Sequence, residues 1–167
     1  MTLAQQHQVP ILEDDLYGEL AYDTSPPAPL RAIDEEGCVL YLSGLSSILG
    51  PGLRLGWLLV PSALVKPLTA LRQAMDLHPD NFVQEVVHAL LTDGSFDAHL
   101  EWVRSTYARR RETMLASLER YMPPGVRWNR PQGGFYIWCS LPQFLNSEEL
   151  LDKAAAGGVV FIPGSVF

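Results

Sequence analysis

Two stretches of this chain bring chemistry-bearing residues close together. The first is "ILEDDLYGEL", residues 11–20, an apolar run ending in Glu13, Asp14 and Asp15, with Tyr17 three residues after Asp14. In open α/β sheets, ligands bind at the carboxyl ends of strands. A carboxylate there can pair with a protonated ring nitrogen, and a nearby phenol can hydrogen-bond a ring hydroxyl. The second stretch is "SGLSSILGPGLRLGW", residues 43–57. Backbone N–H groups of a Gly-rich loop, the hydroxyls of Ser43, Ser46 and Ser47, and the Arg54 guanidinium are the donor types that hold a phosphate. Each stretch alone also has a plainer reading. D-x-x-Y describes a solvated strand end with a packing tyrosine, and Ser/Gly/Pro clusters are most often turns.

These residues need elements to position them. "VPIL" (9–12), "CVLYLS" (38–43) and "RLGWLLVP" (54–61) read as three strands. Their near-continuous apolar runs predict a sheet covered on both faces. The Pro-rich segment 23–37 between the first two is a loop. Three helices follow. "PSALVKPLTALRQAM" takes Ser62 as its N-cap. "NFVQEVVHALL" places Phe82, Val83, Val86, Val87, Leu90 and Leu91 on one stripe. The longest starts near Ser95, with Leu100, Val103, Tyr107, Met114, Leu118 and Tyr121 at helical spacing, and "MPPG" stops it. The last part reads differently. "VRWNRPQGGFYIWCSLP" predicts strand, Gly-Gly turn, strand. "NSEELLDKAAAGG" predicts a helix with Ser147 as N-cap and Gly157-Gly158 as stop. "VVFIPG" predicts a final strand. A boundary is expected near residue 100, giving regions 1–100 and 101–167. The chain is expected to be a piece of something larger, since strand and turn stop at "PGSVF" with no closing element.

The bulk numbers exclude several classes. The 167 residues are 47% hydrophobic and 19% charged, a globular balance for about one domain. No apolar stretch has the roughly 18 residues of a membrane span, and no signal peptide is visible, so a cytoplasmic protein is expected. The net charge of −7 disfavours a nucleic-acid binder. The basic run "RSTYARRR" (104–111) lies between Glu101 and Glu112 and reads as a solvated helix face. Cys38, Cys139 and the four histidines lack ligand spacing, so no metal site is indicated.

Taken together and in order, the two opening stretches resemble the fold-type-I pyridoxal-phosphate (PLP) enzymes, specifically the class I/II aminotransferases. Within these the chain looks most like the aminoadipate- and kynurenine-type transaminases and the aminotransferase-like domains of GntR/MocR regulators. Those families carry "SxSKxxxPGLRLG" where this chain has "GLSSILGPGLRLG". "PQGGFYIW" (131–138) and "GGVVFIPGSVF" (157–167) match their later segments. The resemblance covers essentially the whole chain. It implies an α/β fold: part of the large parallel-sheet PLP-binding domain over 1–100, and a smaller C-terminal α+β domain over 101–167.

The resemblance also implies roles, residue by residue. Asp14 would pair with the pyridinium nitrogen and Tyr17 with the ring 3-oxygen. Ser46 and Arg54 would hold the phosphate of PLP. Gly134 would lie on the substrate side, where a side chain would block access. The departure falls at position 47, where the family has its Schiff-base lysine and this chain has Ser47. Serine forms no imine and is a poor base at neutral pH. Position 44, often a phosphate-binding serine, is glycine. Lys66 and Lys153, the only lysines, are not placed to substitute.

The expected function is therefore an aminotransferase class I/II-like domain, with amino transfer between α-amino acids and 2-oxo acids in intact relatives, and with this chain inactive. The alternatives are an effector-sensing, PLP-binding domain of a GntR/MocR-type regulator, or a fragment without function. The expected partners are an amino acid, a 2-oxo acid or an effector, and a second copy of the chain. Strands "CVLYLS" or "RLGWLLVP" are expected at an open sheet edge, which favours self-association.

Overall fold

A computed structural model describes all residues, Met1–Phe167. The chain divides into two compact units, one formed by Met1–Arg110 with Gln132–Gly134, the other by Arg111–Pro131 with Phe135–Phe167.

In the first unit a short helix α1 (Thr2–His7) precedes strand β1 (Ile11–Asp14). Strand β2 (Val39–Gly44) and strand β3 (Gly56–Leu59) complete a three-stranded sheet in the order β1-β2-β3. β1 and β2 are parallel, with Ile11 opposite Val39 and Asp14 opposite Leu42. β2 and β3 are antiparallel, with Tyr41 opposite Leu59 and Gly44 opposite Gly56. The sheet is thus mixed rather than all parallel. A parallel connection needs a crossover of a dozen residues or more, and residues 45–55 return directly instead.

The start of β2 is set by Asp34. Its carboxylate accepts hydrogen bonds from the backbone N–H of Val39 (2.8 Å) and of Gly37 (3.0 Å). The Val39 bond is the main cause that holds the Asp34 carboxyl below its ordinary value of 3.8. Glu13 has a matching role on β1. Its two oxygens accept from the N–H groups of Leu30 (2.7 Å) and Arg31 (2.9 Å), capping a 3-10 turn over Leu30–Ile33.

Helix α2 (Ser62–Asp76), helix α3 (Asn81–Thr92) and the start of helix α4 (Ser95–Tyr121) follow. The core joins Leu20, Leu45, Ile48, Val87, Leu100 and Val103, with Val83, Phe96 and Tyr107 packed against it. Burying each such aliphatic side chain contributes about 1.5–3 kcal/mol. The expected stripe on α3 therefore splits. Val83 and Val87 pack, whereas Phe82, Val86 and Leu91 are exposed. α2 buries no residue, and Pro61 rather than Ser62 occupies its N-cap. β3 is exposed along its whole length, against the expectation of a strand covered on both faces. Of the two strands expected at an open edge, β3 is one and β2 is central.

The second unit holds the rest of α4. Leu118 is buried as expected, but Arg111 and Leu115 complete the buried face in place of Met114 and Tyr121, which are exposed. Arg111 also departs from the solvated face expected for residues 104–111. It pairs with Glu112 and donates to the carbonyl of Pro131 at 2.8 Å. Strands β4 (Arg127–Trp128) and β5 (Cys139–Ser140) pair antiparallel over two residues each. Helix α5 (Ser147–Ala156) is capped by Asn146, not Ser147: the Asn146 side chain accepts from the N–H groups of Glu148 and Glu149. The expected last strand at "VVFIPG" does not form. Residues 159–163 have no neighbouring strand to complete a ladder, and the chain ends in a 3-10 turn, Gly164–Val166.

Candidate functional site

The parallel pairing of β1 with β2 brings their carboxyl ends to one edge of the sheet, and the antiparallel return brings the start of β3 there too. Asp14 is the last residue of β1. Beyond the Gly44–Gly56 pair, the N–H of Leu45 donates to the carbonyl of Leu55 at 3.2 Å and closes the base of the loop. Ser46 follows Leu45 and Arg54 precedes Leu55, so both flank the pair that closes the loop. Arg54 is exposed and adopts φ 52°, ψ 34° after a 3-10 turn over Pro51–Leu53. Left-handed backbone is uncommon for a non-glycine residue and concentrates at ligand sites.

The loop's hydroxyls are not equivalent. Ser43 Oγ donates to the Asp15 carbonyl at 2.9 Å, and Ser47 Oγ donates to the Leu16 carbonyl at 2.6 Å. Each hydroxyl has a single proton to give, so neither is left to donate to a phosphate. Of the three serines expected to face an anion, only Ser46 keeps an uncommitted hydroxyl. The Tyr41 hydroxyl, on β2, donates to Asp15 Oδ2 at 2.7 Å. Burial, then the Asp15 hydrogen bond, push the Tyr41 phenol above its ordinary value, so it stays a donor.

Tyr17 and Gly134 lie elsewhere in the first unit, along a cleft of about 350 Å³ that Glu13, Asp15, Gly18 and the Pro26–Pro29 segment also line. Gly133 and Gly134 reach this unit because segment 132–134 runs beside residues 20–22. The N–H of Tyr22 donates to the Gln132 carbonyl (2.8 Å), that of Gly134 to the Leu20 carbonyl (3.0 Å), and the Tyr22 hydroxyl to the Gly134 carbonyl. The structure thus sets Asp14, Ser46, Ser47 and Arg54 on elements that meet at one sheet edge, and Tyr17 and Gly134 on the neighbouring cleft.

The composition of that edge suits an anion and a protonated ring nitrogen. Asp14 is exposed with no side-chain partner in the chain, Ser46 has a free hydroxyl, and Arg54 makes only a 3.3 Å bond to the Pro51 carbonyl. It does not suit covalent attachment of an aldehyde, because position 47 offers a hydroxyl already held by the main chain. Sequence reasoning missed the anchoring residues Glu13, Asp15, Tyr41 and the role of Ser43. Only the strand register reveals that Tyr41 and Ser43 stand beside the segment after β1.

The whole chain, residues 1–167, matches the family model for aminotransferase class I and II. It is 39% identical to aromatic-amino-acid aminotransferase 1 of Thermococcus litoralis over all of its residues and 40% of that protein. It is 35% identical to an uncharacterized HTH-type transcriptional regulator of Bacillus subtilis, over all of this chain and 35% of that one. Its structure superposes on kynurenine aminotransferase of Pyrococcus horikoshii, solved with PMP and kynurenine-type compounds, with a TM-score of 0.93 and 37% identity. That match covers 98% of this chain and 40% of the other. The chain belongs to the aminotransferase class I and II family and has the α/β fold of its PLP-dependent members. It spans about 40% of the length of the enzymes it matches.

Proposed function

We propose that this chain is an aminotransferase-type domain that holds PLP without a covalent bond and carries out negligible amino transfer. The observation behind this reading is Ser47, whose hydroxyl donates to the Leu16 carbonyl where a family member would present an amine. When bound, PLP supplies an electron sink for the α-carbon of an amino acid. In this chain Asp14 keeps the ring nitrogen protonated, Tyr17 donates to the ring 3-oxygen, and Ser46 and Arg54 hold the phosphate. Gly134 keeps the substrate side of the cleft open. Ser47 makes no carbon–nitrogen bond to an aldehyde and moves no proton at neutral pH. Met1–Arg110 with Gln132–Gly134 act as the large cofactor-binding domain, and the remaining residues as the small one.

Titration with PLP, followed by its absorption, tests this assignment. The wild-type chain binds, and Arg54→Ala and Asp14→Ala each weaken binding about 10-fold or more, the loss expected for one charged hydrogen bond. Binding unaltered by both substitutions would contradict the assignment. A second reading, an effector-sensing domain of a regulator, has support from the Bacillus subtilis relative, which matches over the whole chain as the enzymes do. Under it, an amino acid added to the PLP-loaded chain alters thermal stability while no 2-oxo acid is formed.

A further inference from the structure

Three side chains from β2 and its following loop grip the short segment that joins Asp14 to Tyr17. Tyr41 holds the Asp15 carboxylate at 2.7 Å, Ser43 the Asp15 carbonyl at 2.9 Å, and Ser47 the Leu16 carbonyl at 2.6 Å. This is where the β1 ladder runs out. The last strand-like bond is the Asp15 N–H to the Leu42 carbonyl at 2.8 Å. Past it, two consecutive carbonyls have no strand to pair with and need other donors. Ser43 and Ser47, four residues apart, supply one each. The chain then turns over Gly18–Leu20 with Tyr17 at the turn's N-cap.

We infer that Ser47 is a positioning residue: its hydroxyl fixes the Leu16 carbonyl, and through it the spacing of Asp14 and Tyr17, so that the two are pre-set for a ligand ring. The inference rests on the proposed cofactor reading and gives position 47 a use of its own within it. A serine side chain is too short to reach a distant ligand but is the right length for an adjacent carbonyl. A lysine amine engaged on a ligand is lost to that carbonyl, so the two uses of position 47 exclude each other. Without a covalent tether, affinity depends on how little ordering the binding groups still need, and a held segment lowers that cost.

The test compares PLP dissociation constants, and amide hydrogen exchange over residues 15–18, for the wild type, Ser47→Ala, Ser47→Thr, Ser43→Ala and Thr92→Ala. Ser47→Ala and Ser43→Ala each raise Kd about fivefold, the worth of one neutral hydrogen bond, and speed exchange at 15–18. Ser47→Thr, which keeps the hydroxyl, restores both readouts. Thr92→Ala removes a comparable hydroxyl-to-carbonyl bond on α3 (2.9 Å, to His88) and changes neither. Wild-type binding with Ser47→Ala equal to it in Kd and exchange overturns the positioning role alone. A loss that Ser47→Thr does not restore also overturns it. No binding by the wild type overturns the cofactor reading and the positioning role together.

Discussion

Gly133 and Gly134 are neighbours held by different constraints. A Cβ on Gly133 would lie 2.2 Å from the Leu20 carbonyl oxygen, so backbone must move to admit it. A Cβ on Gly134 meets nothing within 4 Å, but its φ of +77° disfavours any L side chain. Gly133→Ala should therefore cost about 2–3 kcal/mol or more, as overpacking against rigid backbone does. Gly134→Ala should cost about 1–2 kcal/mol, and urea unfolding of the two variants checks the order. Asp34 yields a pH prediction. Its folded-state carboxyl lies below the ordinary value of 3.8, so its contribution is complete above that value and is lost as pH falls through the folded-state value. The stability gap between the wild type and Asp34→Asn should therefore narrow on acidification, read by thermal melts from neutral to acid pH. Of the candidate residues, Asp14, Ser46, Ser47 and Arg54 were legible because each lies next to a strand end that the apolar runs reveal. Asp15, Tyr41 and Ser43 were not, because their roles arise from register between strands, and no single segment encodes register.

The helices show where periodicity carries and where it slips. Over Leu100, Val103 and Tyr107 the apolar spacing of α4 marks the packed face correctly. One turn later the face passes through Arg111 to Leu115 and Leu118, and Met114 turns outward. A polar residue on the packed face breaks the apolar pattern, so the nearest apolar residue, Met114, stands in for it in a sequence reading. Leu115→Ala should destabilise the second unit by about 2–5 kcal/mol. Met114→Ala should stay within about 0.5 kcal/mol, as exposed substitutions do. Equal effects of the two in denaturant melts would contradict the burial described for α4. The caps slipped by one residue in both α2 and α5. Adjacent residues such as Asn146 and Ser147 are both good caps, and only the chain's entry angle selects between them. The expected last strand failed for a related reason, since strand propensity at "VVFIPG" cannot supply a partner.

At the scale of the molecule, β1 and β3 are the two edges of the sheet, and β3 carries Trp57, Leu58 and Leu59 at 42%, 40% and 50% exposure. α2 buries nothing, and no helix is long and apolar enough to cross a membrane. An open apolar edge favours pairing with another chain. The protein is expected to sediment as an oligomer, and Leu58→Lys to shift it toward monomer; a monomer at high concentration for the wild type would refute this. Family membership was legible because the D-x-x-Y and P-G-x-R segments stand in order on strands that meet at one edge. The loss of the amine at position 47 was legible too, but the hold of Ser47 on the Leu16 carbonyl was not, since that partner is set by the fold. Whether the chain holds PLP without a covalent bond is decided by borohydride reduction. The protein is loaded with stoichiometric PLP, treated with borohydride, and weighed by mass spectrometry beside Ser47→Lys. Non-covalent binding gives an unmodified wild-type mass with PLP released on unfolding, and one adduct at residue 47 of the variant. A stoichiometric adduct on Lys66 or Lys153 of the wild type, accompanied by amino transfer, would contradict it.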